Sequence, residues 1–128
     1  MAATTRWPGF QAEAGRTTPE SADLQCMLAG MLAAGARAAV MEVSSHALAL
    51  GRVKDVAFHR AVFTNLASDH LDYHKTPEAY RDAKGILFGD LEPGASAILN
   101  ADDPVSETYR KGCKAKVLTY GMDGRADC

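Results

Sequence analysis

One stretch limits the fold more than any other. Ala61-Val62-Phe63 is apolar, β-branched and aromatic, and it runs directly into Thr64-Asn65-Leu66-Ala67-Ser68-Asp69-His70-Leu71-Asp72-Tyr73-His74, which is crowded with polar side chains. This reads as a buried strand whose carboxyl end opens into a loop of residues able to bind ligands. In open parallel α/β sheets that end of a strand is where ligands bind. His70, Asp72 and His74 alternate, so an extended backbone would turn all three to one side as a small metal site of hydrolase type. Three consecutive same-face ligands crowd one ion, however, and a single short motif is weakly specific. The simpler reading makes one histidine a ligand, with Asp72 and His74 orienting neighbours or capping the next helix.

The rest of the chain supplies strands and helices in alternation. Residues 1–16 carry Gly, Pro and charges without a period and are expected to be irregular, ahead of one domain over 17–128. Thr18-Pro19-Glu20 has the grammar of a helix start, with Thr18 as cap. Leu24, Met27, Leu28, Met31 and Leu32 follow at helical spacing as one buried stripe, and Gly35 ends the helix. Cys26 is expected on that apolar face as a small core residue. Arg37 to Val43 reads as a second buried strand in which Glu42 is costly unless paired, most pointedly by a cation. Thr76-Pro77-Glu78 repeats the helix-start grammar before Tyr80, Ala83, Leu87 and Phe88, and Lys84 lies mid-helix, where periodicity alone would leave it solvated. Gly94 to Asn100 and Lys116 to Gly121 are further strands, with Asp102 or Asp103 capping a helix that starts near Pro104. The class is α/β, with a mainly parallel sheet and flanking helices. Crossovers of one hand would gather Glu42-Ser44-Ser45-His46, Asn65-Asp69-His70 and Asn100-Asp102-Asp103 on one sheet edge.

Composition excludes several partners. A net charge of -2 with scattered Lys and Arg argues against nucleic acid and anionic membrane. No run of about 20 apolar residues could span a bilayer, and the first residues lack the apolar core of a signal peptide. Three cysteines at unrelated spacings indicate neither a disulfide framework nor a zinc site, which suits a reducing cytoplasm. A small-molecule ligand is expected.

Four motifs together carry a resemblance: Met41-Glu42-Val43-Ser44-Ser45-His46-Ala47-Leu48, Phe63 to Leu66 with Asp69 to His74, Ala83-Lys84, and Asn100-Ala101-Asp102-Asp103. In order and spacing they resemble the central domain of the Mur ligases, most closely the MurE type, over about Arg16 to Tyr120. The resemblance implies an ATP-dependent ligase of peptidoglycan synthesis. Such an enzyme joins a diamino acid, meso-diaminopimelate or L-lysine, to UDP-N-acetylmuramoyl-L-alanyl-D-glutamate through an acyl phosphate. It further implies magnesium held by Glu42, His70 and a carbamylated Lys84, and substrate contacts from Thr17, Thr18, Ser44 and Arg52. Leu50 stands where some members place a substrate-contacting Gln. The family's glycine-rich ATP loop is not in these residues, and Thr4-Thr5, with no Gly-Lys before it, cannot replace it. A fragment is expected, without the loop's strand, marginally stable and inactive in isolation. Folylpolyglutamate synthetase or another Mur ligase, the hydrolase built on His70, Asp72 and His74, and a non-catalytic α/β module are the competing readings.

Overall fold

The structure is a computed structural model that describes residues 3–7, 10–66, 71–122 and 126–127. The chain divides into two compact units, Met1–Asp55 and Val56–Cys128.

In the first unit, β1 (Ala3–Trp7) and β2 (Phe10–Ala14) pair antiparallel, from Ala3 opposite Ala14 to Trp7 opposite Phe10. This corrects the irregular segment expected over 1–16. The overlooked signal was Pro8-Gly9, a turn dipeptide between two runs of equal length. Helix α1 (Ser21–Ala33) starts after Glu20, which occupies the cap position without a side-chain cap bond, so Thr18 is not its cap. At the other end Gly35 takes a φ of 85°, the Gly35 N–H bonds the Leu32 carbonyl, and the Ala36 N–H bonds Met31. That pair of bonds is the Schellman closure, and it needs a residue without a Cβ at the left-handed position. Of the expected stripe only Leu24 is buried; Met27, Leu28 and Met31 are half-buried and Leu32 is exposed. Cys26, two positions beyond Leu24 and therefore on the opposite side of the helix, is exposed, contrary to expectation.

Residues 37–43 are the largest departure. They form no strand among the described residues, Val40 is fully exposed, and Glu42 is exposed as well. Apolar, β-branched composition makes a segment suitable for a sheet, but a strand exists only where a neighbour completes its ladder. The desolvation cost assigned to Glu42 therefore does not arise here. Helix α2 (Ser45–Ala49) follows, and Gly51, with a φ of 68°, closes it by the same device: Gly51 N–H to Leu48 and Arg52 N–H to Ala47. Ala47, Leu48 and Val53 are buried alongside Leu24.

The second unit contains a parallel sheet of order β3-β4-β5, formed by Arg60–Phe63, Ser96–Asn100 and Lys116–Tyr120. Between β3 and β4 lie α3 (Leu71–His74) and α4 (Pro77–Gly89); α5 (Val105–Gly112) joins β4 to β5. Parallel neighbours require such crossovers, and this is the expected α/β architecture. Thr76 caps α4 by accepting the Ala79 N–H at 3.1 Å, with Pro77 at its first position. Burial in β3 alternates, Ala61 and Phe63 inward and Arg60 and Val62 outward, so one face of this strand is covered rather than both. Phe63 of β3, Phe88 of α4 and Tyr109 of α5 meet in the core: the two helix-borne rings stack at 5.1 Å and 12°, and Phe63 meets each edge-on. Leu99 and Ala97 are completely buried beneath them.

Candidate functional site

The residues singled out from sequence separate into two chemically different groups. In the first unit Thr18, 1% exposed, lies at the centre of a polar knot. Its hydroxyl donates to the Glu42 carbonyl at 3.1 Å and accepts the Ser44 N–H at 3.0 Å, so both ends of a buried dipole are satisfied. The Ser44 hydroxyl caps α2 by accepting the Ala47 N–H at 3.2 Å, and it lies 3.5 Å from Thr18 Oγ1. Arg52 closes the knot from beyond α2. Its Nη1 donates to the Thr18 carbonyl at 3.3 Å, its Nη2 meets Glu20 Oε1 at 2.8 Å, and its side chain is only 10% exposed. Three residues named as substrate contacts, Thr18, Ser44 and Arg52, are thus brought together, while Thr17 is an exposed neighbour on the turn.

Sequence reasoning missed Glu20 as more than a helix-dipole residue. One of its oxygens holds both Arg52 and Arg16. The four-residue spacing of Arg16 and Glu20 was the available signal; nothing local pointed to Arg52.

In the second unit the polar residues after the strands bond to the protein itself. Asn100 Nδ2 donates to the Thr64 carbonyl at 2.7 Å. Asp103 accepts the Leu66 N–H at 2.8 Å with one oxygen and the Val105 N–H at 2.9 Å with the other. Asp102 accepts the Met122 N–H at 2.8 Å, and the Tyr120 hydroxyl donates to the Phe63 carbonyl at 3.1 Å. These bonds latch the ends of neighbouring strands, so Asn100, Asp102 and Asp103 are accounted for as fold-holding groups.

Of the expected magnesium ligands, His70 lies outside the described residues. Glu42 presents an exposed carboxylate that no hydrogen bond or ion pair engages among the described residues, a donor type that suits a hard cation. Lys84 on α4 is half-buried, and its ammonium lies 5.2 Å from the centroid of the Tyr80 ring, a cation–π contact. As an ammonium it is no ligand; only a carbamate there would be one. Among the described residues no three His, Cys, Asp or Glu side chains gather into a metal-binding group. The hydrolase reading fares worse. Leu71–His74 is a helical turn without the period-two alternation that reading needs, and His74 is buried between the Tyr73 and Tyr80 rings at 4.8 and 5.3 Å.

Comparison with known proteins agrees with the fold. A curated UDP-N-acetylmuramoyl-L-alanyl-D-glutamate--2,6-diaminopimelate ligase from Synechocystis is 54% identical over 125 residues, covering 96% of this chain and 25% of that protein. The ligase of the same name from Halalkalibacterium halodurans is 51% identical over 118 residues, 90% of this chain and 24% of its own length. A solved structure of a ligase of that name superposes with a TM-score of 0.78 at 32% identity, covering 97% of this chain and 27% of the other. The chain therefore spans about a quarter of the length of these relatives. Residues 1–128 match the Mur ligase middle domain, and the chain belongs to that family.

Proposed function

We propose that this chain is the middle-domain portion of an ATP-dependent ligase that adds a diamino acid to UDP-N-acetylmuramoyl-L-alanyl-D-glutamate in cytoplasmic peptidoglycan synthesis. The observation that carries the reading is the convergence of Thr18, Ser44 and Arg52, far apart in sequence, on one polar knot. Hydroxyls and a guanidinium suit the sugar, carboxylate and phosphate oxygens of such a substrate. The names of the relatives favour 2,6-diaminopimelate over L-lysine as the amine. Among the described residues no helix is long and apolar enough to cross a membrane, which is consistent with a substrate met in solution.

Joining two anionic reactants through a phosphorylated carboxylate requires positive charge around the phosphoryl group. Magnesium, when bound, supplies that charge, and Glu42, His70 and a carbamylated Lys84 are the residues that would hold it. Arg52 serves the substrate instead. Fixed beside Thr18, it offers a permanent cation for an anionic group of the substrate, so that binding does not depend on the metal.

The test replaces the matching quarter of the Halalkalibacterium halodurans ligase with this chain and measures diaminopimelate-dependent phosphate release from ATP. Arg52→Lys is expected to raise the KM for the UDP-muramoyl substrate about tenfold, since a lysine cannot reproduce the guanidinium's fixed fork. An active graft in which Arg52→Lys, Thr18→Val and Ser44→Ala all leave that KM unchanged would remove the site from the reading.

A further inference from the structure

Arg52 is a largely buried cation of the first unit, and its surroundings are uneven. Among the described residues Nη1 reaches only the Thr18 carbonyl, at 3.3 Å, a long bond to a neutral acceptor. Nη2 has the short, charge-assisted partner, Glu20 Oε1 at 2.8 Å. Nε is buried with no hydrogen-bond partner among the described residues. A guanidinium held at one nitrogen by a weak bond and at another by a strong one owes its orientation to the strong one. Its unpartnered third donor is a buried N–H whose desolvation is uncompensated until something accepts from it.

Glu20 differs from its partner in exposure. The glutamate side chain is half exposed while that of Arg52 is nine-tenths buried, and the same glutamate oxygen also holds Arg16, which is 60% exposed. The carboxylate therefore reaches from the surface to the buried arginine. Because Glu20 occupies the cap position of α1, its backbone is fixed by the first helical bond, the Leu24 N–H to its carbonyl at 2.9 Å. The carboxylate is thus mounted on an anchored backbone.

We propose that Glu20 is a positioning residue for the UDP-muramoyl substrate: through its bond to Nη2 it fixes the orientation of the Arg52 guanidinium that receives an anionic group of the substrate. This rests on the assignment of Arg52 as a substrate contact. Glu20 itself touches no substrate. A carboxylate that served as a placeholder, displaced from the arginine by the substrate, would act with the opposite sign. Removing a positioning residue weakens binding; removing a competitor tightens it.

Two measurements test the proposal. In the full chain with nitrogen-15 in its arginine side chains, the Arg52 Nη resonances are expected to be separate, because rotation about Cζ–Nε is restrained, and to merge in Glu20→Gln. In the grafted ligase, Glu20→Gln and Glu20→Ala are expected to raise the KM for UDP-N-acetylmuramoyl-L-alanyl-D-glutamate by about tenfold, with kcat changed far less. Glu20→Asp, which keeps the charge on a shorter arm, is expected to recover part of the loss. Unchanged Arg52 resonances in Glu20→Gln overturn the proposal, as does a KM that stays constant or falls. If Arg52→Lys raises KM and Glu20→Gln does not, positioning fails while the substrate assignment stands. If neither raises it, the assignment fails, and positioning fails with it.

Discussion

The two units use polar side chains after their elements in opposite ways. In Val56–Cys128 a hydrophobic core stands first and the polar groups finish it: Leu99, Phe63, Phe88 and Tyr109 pack the interior, and Asn100, Asp102 and Asp103 bond the strand ends from outside. Among the described side chains of Met1–Asp55 few large apolar ones are buried, and a threonine hydroxyl with an arginine ties segments distant in sequence. A polar residue at a strand end is therefore not by itself a ligand. What sets the Thr18 knot apart is a cation with a buried N–H that has no hydrogen-bond partner among the described residues.

The comparison breaks first at the core. Leu99→Ala is expected to cost about 2–5 kcal/mol, read as a lowered denaturation midpoint, because Leu99 is wholly buried and its neighbours can only partly close the cavity. A loss well under 1 kcal/mol would mean that the second unit is not core-driven. Next come the polar ties. Thr18→Val leaves the Ser44 N–H and the Glu42 carbonyl without their partner, and Asp103→Ala leaves the Leu66 and Val105 N–H groups without theirs; each should cost about 1–3 kcal/mol. Amide exchange sharpens the contrast. Thr18→Val should speed exchange at Ser44 and leave the Leu66 and Val105 amides protected, whereas Asp103→Ala should do the reverse.

Smaller effects probe the aromatic contact. A Cβ at Gly85 would lie 3.2 Å from the Tyr109 ring, so Gly85→Ala trades a helix-propensity gain of about 1 kcal/mol against crowding of that ring. Net destabilisation below about 1 kcal/mol is expected by thermal melting. Burial pushes the Tyr109 phenol far above its usual pKa, with the Asp103 charge as the second cause, and its hydroxyl donates to the Arg81 carbonyl at 2.9 Å. The folded state thus favours the neutral phenol. The stability it contributes is complete below about pH 10, where an unfolded tyrosine titrates, and is lost as pH rises further. Tyr109→Phe should flatten that alkaline slope. Least of all, the Thr119 N–H and hydroxyl hold the Asp127 carboxyl below its usual range. Its small contribution is present above the ordinary carboxylate range and disappears as pH falls through the lowered value, which Asp127→Asn would reveal as a reduced acid dependence.

Much of the second unit could be read beforehand. Thr76-Pro77-Glu78 announced α4 through local hydrogen bonding, and Ser96–Asn100 and Lys116–Tyr120 through apolar runs, because those signals are confined to a few residues. The first unit was less legible for the same reason. Residues 37–43 have strand composition but no ladder among the described residues, and pairing is not a property of one segment. At the site, Thr18, Ser44 and Arg52 came from a family pattern, whereas the Glu20–Arg52 pair depends on a tertiary approach that no spacing rule contains.

The helix Ser45–Ala49 has one further consequence. Ser44 stands at its entrance and Arg52 just past its glycine closure, with the Arg52 amide bonded back to Ala47. The five-residue helix is in effect a ruler that sets both the distance and the rotation between hydroxyl and guanidinium. One residue inserted or deleted there would swing the arginine by roughly 100° around the axis, so the interval from 44 to 52 should tolerate exchanges of side chain far better than any change of length.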